Sequence, residues 1–207
     1  MKIFKASMIG LIVVFVIGVL ATATMIIKQS MIDIVINDSI SPIVQNVKYK
    51  SPAKAQTDLS WQSFGKISDP TIAAVMGELK KQFPDYEANL KKNLKNSELI
   101  DAIYESVESG MPVLCLIAAQ DATKAGGAAA GSPAWGIHIG IVAEIDLPGD
   151  KIVIGDPYGH ESAYSVRDFL KAARFESYEN MELFLKFKFA FEIYCKNTIF
   201  ALEKKPG

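Results

Sequence analysis

The sequence predicts an α+β domain behind one N-terminal membrane helix. Three observations carry that prediction: an uncharged apolar run near the amino terminus, helical periodicities in the middle of the chain, and strand-like runs after them. The 207 residues leave room for one domain of ~100–200 residues and an appendage. Hydrophobic residues make up 50% and charged residues 22%, which excludes disordered and collagen-like classes. Lys and Arg number 22 against 23 Asp and Glu, a formal net charge of −1, so there is no broad basic field and no nucleic-acid partner is expected. Two cysteines cannot build a disulfide scaffold or a four-cysteine zinc site. The mean hydropathy of +0.19 is high for a soluble chain, and one stretch explains most of it.

That stretch is the N-terminal anchor, residues 1–30. No charge lies between Lys5 and Lys28. Twenty-two residues at ~1.5 Å rise span about 33 Å, enough for a hydrocarbon core of roughly 30 Å. Residues 6–27 are therefore expected to meet the lipid bilayer. A cleaved signal peptide is the competing reading, because Lys2 and Lys5 give a charged start and Ala21-Thr22-Ala23 resembles a cleavage site. The apolar run continues through Met25, Ile26 and Ile27, beyond a usual signal core of ~7–15 residues, which favours the anchor. Lys2 and Lys5 precede the span and Lys28 alone closely follows it, so the amino terminus is expected inside and the main domain extracytoplasmic. Residues 31–57 read as a stalk: Met31–Ile36 can extend the helix, and Asp38, Ser39, Ser41 and Pro42 break it.

Residues 58–207 form the main domain. Asp69 can cap a helix with Pro70 at its first position, and Ile72, Val75, Met76 and Leu79 recur at helical spacing up to about Phe83. A second helix is expected over Ser97–Ser109, ended by Gly110. Pro112–Ala119 and Ile137–Ile145 read as buried strands, and Pro148-Gly149-Asp150 turns the second into Lys151–Ile154. Ser165 caps a helix carrying Val166, Phe169, Leu170 and Ala173. Leu185, Phe187, Phe189, Phe191 and Ile193 alternate with other residues at period two, which predicts a strand. Lys196-Asn197 then turns into a last strand, Thr198–Leu202. Lys124–Gly136, rich in Gly, Ala and Ser, reads as a mobile loop.

The residue types able to do chemistry gather around His138 and Asp156. If the two strands pair through the Pro148–Asp150 turn, imidazole and carboxylate emerge near one end. An Asp beside a His can orient the ring and stabilise its charged form. A strand-end His is equally a packing residue and Asp156-Pro157-Tyr158-Gly159 an ordinary turn, so spacing alone leaves both readings open. No metal or cofactor is expected: beside Asp156 there are two histidines, His138 and His160, 22 apart in sequence, too weak a pattern for a metal site. Gly126–Gly131 lacks the Lys-Ser/Thr of a phosphate loop. Cys115 lies within an apolar strand and Cys195 far from the His and Asp strands, and neither sits at a helix start, where a thiol becomes reactive. A disulfide between them stays open.

The segments Gly136-Ile137-His138-Ile139-Gly140-Ile141-Val142, Ile152-Val153-Ile154-Gly155-Asp156-Pro157 and Tyr164-Ser165 leading into Phe169 resemble the C-terminal half of bacteriocin-processing cysteine peptidases. These papain-like enzymes cut leader peptides after a double glycine. The resemblance covers roughly Trp61 to Phe175. It implies a papain-like fold of two to three helices on an antiparallel sheet, with His138 and Asp156 in the catalytic set. The family's N-terminal motif, a Gln, five residues and then the nucleophilic Cys at the head of a helix, has its best match at Gln62 and Ser68. Gln62 would then support the oxyanion, and Trp135 with Gly136 would form a flap over a bound peptide.

The departure is Ser68. A serine hydroxyl needs a site built to remove its proton, whereas a cysteine is already partly thiolate. Asp69 adds a negative charge beside the nucleophile, and the family usually has glycine there. The resemblance thus implies a catalytically inactive, membrane-anchored module that binds a peptide or leader segment. Its partner would be a membrane secretion or transport protein on another chain, since no ATP-binding cassette is present. The alternative is an active hydrolase using Ser68, His138 and Asp156.

Overall fold

The computed structural model describes residues 2–56, 64, 67, 69–120, 135–155, 161–176 and 183–205, with the side chains of 2–9, 119–120, 135 and 183–186 excepted. It divides into two compact units, residues 1–35 and 36–207.

The first unit is α1 (Lys2–Ile36), the predicted anchor and its expected extension in one 35-residue helix. It is long and apolar enough to cross a membrane. Thr22, Thr24 and Ser30 each turn their hydroxyl back to the carbonyl four residues earlier, at 2.9, 2.9 and 3.1 Å. That satisfies the polar groups that lipid cannot.

The second unit is α+β with one antiparallel sheet. Its elements are α2 (Ser41–Val44), a 3-10 turn (Val47–Tyr49), β1 (Ala53–Lys54), α3 (Ile72–Gln82), β2 (Tyr86–Lys91), α4 (Asn96–Glu108) and β3 (Val113–Gln120). There follow β4 (Trp135–Asp146), β5 (Lys151–Gly155), β6 (Glu161–Tyr164), α5 (Val166–Ala173), α6 (Leu183–Ala190) and β7 (Ile199–Lys204). The strand order is β2-β7-β3-β4-β5-β6, with β1 paired to β4 beyond the end of β3. Helices cover both sheet faces. On one face α4 and α5 bury Leu99, Ile103, Val107, Phe169 and Leu170 against Val113, Cys115, Ile117, Val142 and Ile154. On the other, Val75 and Leu79 of α3 and Phe189 of α6 pack on Leu114, Leu116, Ile139, Ile141 and Phe200. Alternate residues of β3 and β4 serve opposite faces, as the pleat requires.

The hairpin β4–β5 is the one expected from Pro148-Gly149-Asp150, with Val142 opposite Ile154 and Asp146 opposite Lys151. A bulge between Val142 and Glu144 keeps both Val142 and Ile145 on the α4/α5 face. Ser165 caps α5 as expected: the Asp168 N–H donates to its Oγ at 3.0 Å, and its hydroxyl donates to the Asp168 carboxylate at 2.9 Å. That hydrogen bond is the main cause holding the Asp168 carboxyl below its ordinary value.

Four expectations change. The helix expected from Asp69-Pro70 begins at Ile72 with Thr71 as its cap, because the Asp69 side chain is taken by the Thr71 N–H at 2.9 Å. Leu183–Ala190 is a helix, not a strand. Of the alternating aromatics Phe189 is buried, while Phe187 and Phe191 are exposed, which a single strand face cannot deliver but a ~100° helical step does. Two strands, β2 and β6, arise where no strand is expected. Finally, residues 36–56, read as stalk, pack as part of the domain: Tyr49 and Ala53 are buried, Ile40 and Ile43 lie against the α4/α5 core, and β1 joins the sheet.

The same segment completes α4. Lys95 at the cap position of α4 supplies no side-chain acceptor. Asp38 stands in from 59 residues away in sequence, accepting the Ser97 N–H at 3.0 Å and the Ser97 hydroxyl. Nearby, Tyr49 donates to Asp101, and Lys48 bridges Asp101 at 3.3 Å and Glu105 at 2.7 Å. The Glu105 hydrogen bond is the largest cause raising the Lys48 ammonium. These pairs are substantially solvent-exposed, so they orient the segment more than they stabilise it.

Candidate functional site

His138 lies near the start of β4, opposite Ile117 of β3. Its ring folds back along its own strand. A Cβ built on Gly136 would stand 3.0 Å from the His138 Nε2, so Gly136 is the residue whose missing side chain makes room for the ring. Gly140, two residues on, leaves space for Ile117 and Ile154, which a Cβ there would meet at 3.0 and 2.8 Å. Three alternate positions of β4 thus hold a His between two glycines, all on the face that α4 and α5 cover.

The His138 side chain is half-buried. Its Nε2 is buried and has no hydrogen-bond partner among the described residues.

The other predicted site residues are distributed as follows. Gln62, Ser68 and Asp156, and the Trp135 side chain, lie outside the described residues, as does His160. Their flanking elements are described. β5 ends at Gly155, paired with Ile141, three positions along β4 from His138. α3 behaves differently. Its first residue is Ile72, with Thr71 as its cap. Its buried residues, Val75 and Leu79, join the core on the sheet face away from His138.

Neither cysteine substitutes. Cys115 and Cys195 are both buried and are not joined in a disulfide. Cys115 shares the His138 face, opposite Gly140, but desolvation by the surrounding core pushes its thiol far up from the ordinary 9.0. Its contribution to stability is full below pH 9.0 and declines as pH rises above it, because the unfolded chain ionises first. The expected result is that neither thiol of the folded chain reacts with a maleimide at pH 7–8, and both react in denaturant. Rapid labelling of Cys115 under native conditions would show the strand pair opening there. Among the described residues no group of three or more His, Cys, Asp or Glu is placed to hold a metal ion.

A buried polar network among the described residues has no counterpart in the sequence expectations. Asn96 and Asn197 are buried. The Asn96 amide donates to Asn37 Oδ1 at 3.3 Å and to the Asp38 carbonyl at 3.0 Å, and the Asn197 amide donates to Asn96 Oδ1 at 3.2 Å and the Leu94 carbonyl at 2.8 Å. Only the left-handed φ of 42° at Asn197 has a sequence signal, since Asn tolerates that region. The network ties the start of the second unit to α4 and to the lead-in of β7.

Comparison with protein-family models, with curated proteins and with solved structures finds no match.

Proposed function

We propose that the chain is a membrane-anchored, peptidase-like domain that binds an extended peptide or leader segment and does not cut it, presenting it to a membrane secretion partner on another chain. The observation that carries the non-cutting reading is the opposition of α3 and His138 across the sheet. Ser68 in place of the expected Cys, and a helix α3 that begins only at Ile72, support the same reading. The papain-like likeness itself rests on the residues around His138 and Asp156. Peptide binding is favoured by the sheet edge: all four residues of β6 are exposed, and no described strand pairs with its outer side. Such an edge can accept a peptide as an added strand through main-chain hydrogen bonds. The excess of lysines before the apolar span places the domain on the extracytoplasmic side in this reading.

The test uses the full chain in detergent micelles with fluorescent peptides containing Gly-Gly. Anisotropy should report saturable binding, and mass spectrometry should find no cleavage by wild type, Ser68→Ala or Ser68→Cys. Cleavage by wild type that disappears in Ser68→Ala would overturn the non-cutting reading in favour of a hydrolase. No saturable binding of any extended peptide overturns the peptide-binding reading.

A further inference from the structure

The last turn of α6 and the residues after it put Phe187, Phe191 and Ile193 on the surface at 43%, 62% and 39% exposure. Phe187 and Phe191 are one helical turn apart, joined by the Phe191 N–H to the Phe187 carbonyl at 3.0 Å, so their rings leave the same side. Glu192 at φ 57° then turns the chain, and the Ile193 N–H closes on the Lys188 carbonyl at 2.9 Å, fixing Ile193 beside the helix end. Lys186 and Lys188 flank Phe187 in sequence, and Lys188 Nζ lies 5.4 Å from the centre of the Tyr194 ring. Exposed aromatics interleaved with lysines are the composition of segments that lie in the headgroup region of a bilayer.

A second observation says which surface is within reach. Large apolar side chains stay exposed along α1 as far as Met31, Ile34 and Val35, at 63%, 78% and 56%. The next residue, Ile36, is 1% exposed and already belongs to the second unit. No spacer separates the apolar helix from the folded domain, so the domain is held at the bilayer surface at a high effective concentration.

We propose that Phe187, Phe191 and Ile193 form an interfacial contact with the lipid bilayer that α1 spans, a second and reversible attachment of the domain to its membrane. The inference rests on α1 being retained as an anchor, and is independent of peptide binding.

The full chain is reconstituted in vesicles of phosphatidylcholine with phosphatidylglycerol. Retention in the vesicle fraction after alkaline carbonate first establishes that α1 is inserted; release there would fail the anchor reading itself. Phe187→Cys and Phe191→Cys are each labelled with a nitroxide, which the two buried native thiols permit, and Glu203→Cys on β7, exposed, serves as the solvent reference. Labels at 187 and 191 should be at least tenfold less accessible to a water-soluble nickel chelate than the label at 203, while remaining accessible to oxygen. Equal chelate accessibility at 191 and 203 overturns the proposal. So does protection accompanied by spin–spin broadening that vanishes on dilution with unlabelled protein, since that identifies a second copy of the chain as the cover. Should one variant fail to fold, the other position decides.

Discussion

Phe169→Ala is expected to lower the stability of the second unit by about 3–5 kcal/mol, the cost of removing a fully buried aromatic ring and leaving a cavity. Phe169 is 0% exposed and lies in the core between α5, α4 and the sheet. Its neighbours are anchored on strands and cannot collapse into the gap. The matched control is Phe191→Ala, a ring of the same size at 62% exposure, for which a change within ~0.5 kcal/mol is expected in micelles. Urea unfolding of both variants in detergent, followed by circular dichroism, reads the difference as a shift in midpoint. A Phe191→Ala cost as large as that of Phe169→Ala would contradict the helical placement of residues 183–190, because it would return Phe191 to a buried strand face.

Asn197→Ala should cost about 3 kcal/mol by two separable routes. The Asn197 amide donates to Leu94 and Asn96, and losing both bonds in a buried setting removes ~0.5–1.5 kcal/mol each. The left-handed backbone at φ 42° adds roughly 1–2 kcal/mol for a residue with a Cβ and no side-chain compensation. Asn197→Gly removes the same hydrogen bonds without the backbone penalty, so it should be about 1 kcal/mol less damaging than Ala. Equal losses for the two variants would show that the backbone carries no strain there. Losses under ~0.5 kcal/mol for both would show that the buried amide network does not hold the domain together.

The comparison of α5 and α6 shows where sequence reading succeeds. α5 has a capping serine, a carboxylate three residues later and apolar residues at helical spacing, all of which agree. α6 carries a Phe–Lys alternation that reads as a strand at period two, yet it folds as a helix. Among the described aromatics of this segment Phe189 is the one that packs inward, against Phe175 and Tyr194 at ring separations of 4.8 and 5.8 Å, while Phe187 and Phe191 face outward. β6 carries no alternation because all four of its residues are exposed, whereas β2 does alternate, with Tyr86, Ala88 and Leu90 against the core, in a run too short and too polar to stand out beside the helices that flank it. The cap of α4 was hidden for a different reason. Its acceptor, Asp38, is far away in the chain, and capping rules look only at neighbours.

The candidate site divides in the same way. His138, its strand and the hairpin leading towards residue 156 were legible, because a short turn between two apolar runs fixes their pairing locally. The face on which α3 packs was not, because a helix joined to the sheet by a loop can cover either side, and its own apolar stripe is the same in both cases. Local periodicity and turn chemistry suffice for the apolar N-terminal helix, the α+β class and the β4–β5 hairpin that carries His138. Long-range packing puts helices on both faces of the sheet, α3 on the face away from His138, and residues 36–56 into the domain. Those outcomes depend on contacts between residues remote in the chain, where burial of whole faces outweighs local preference.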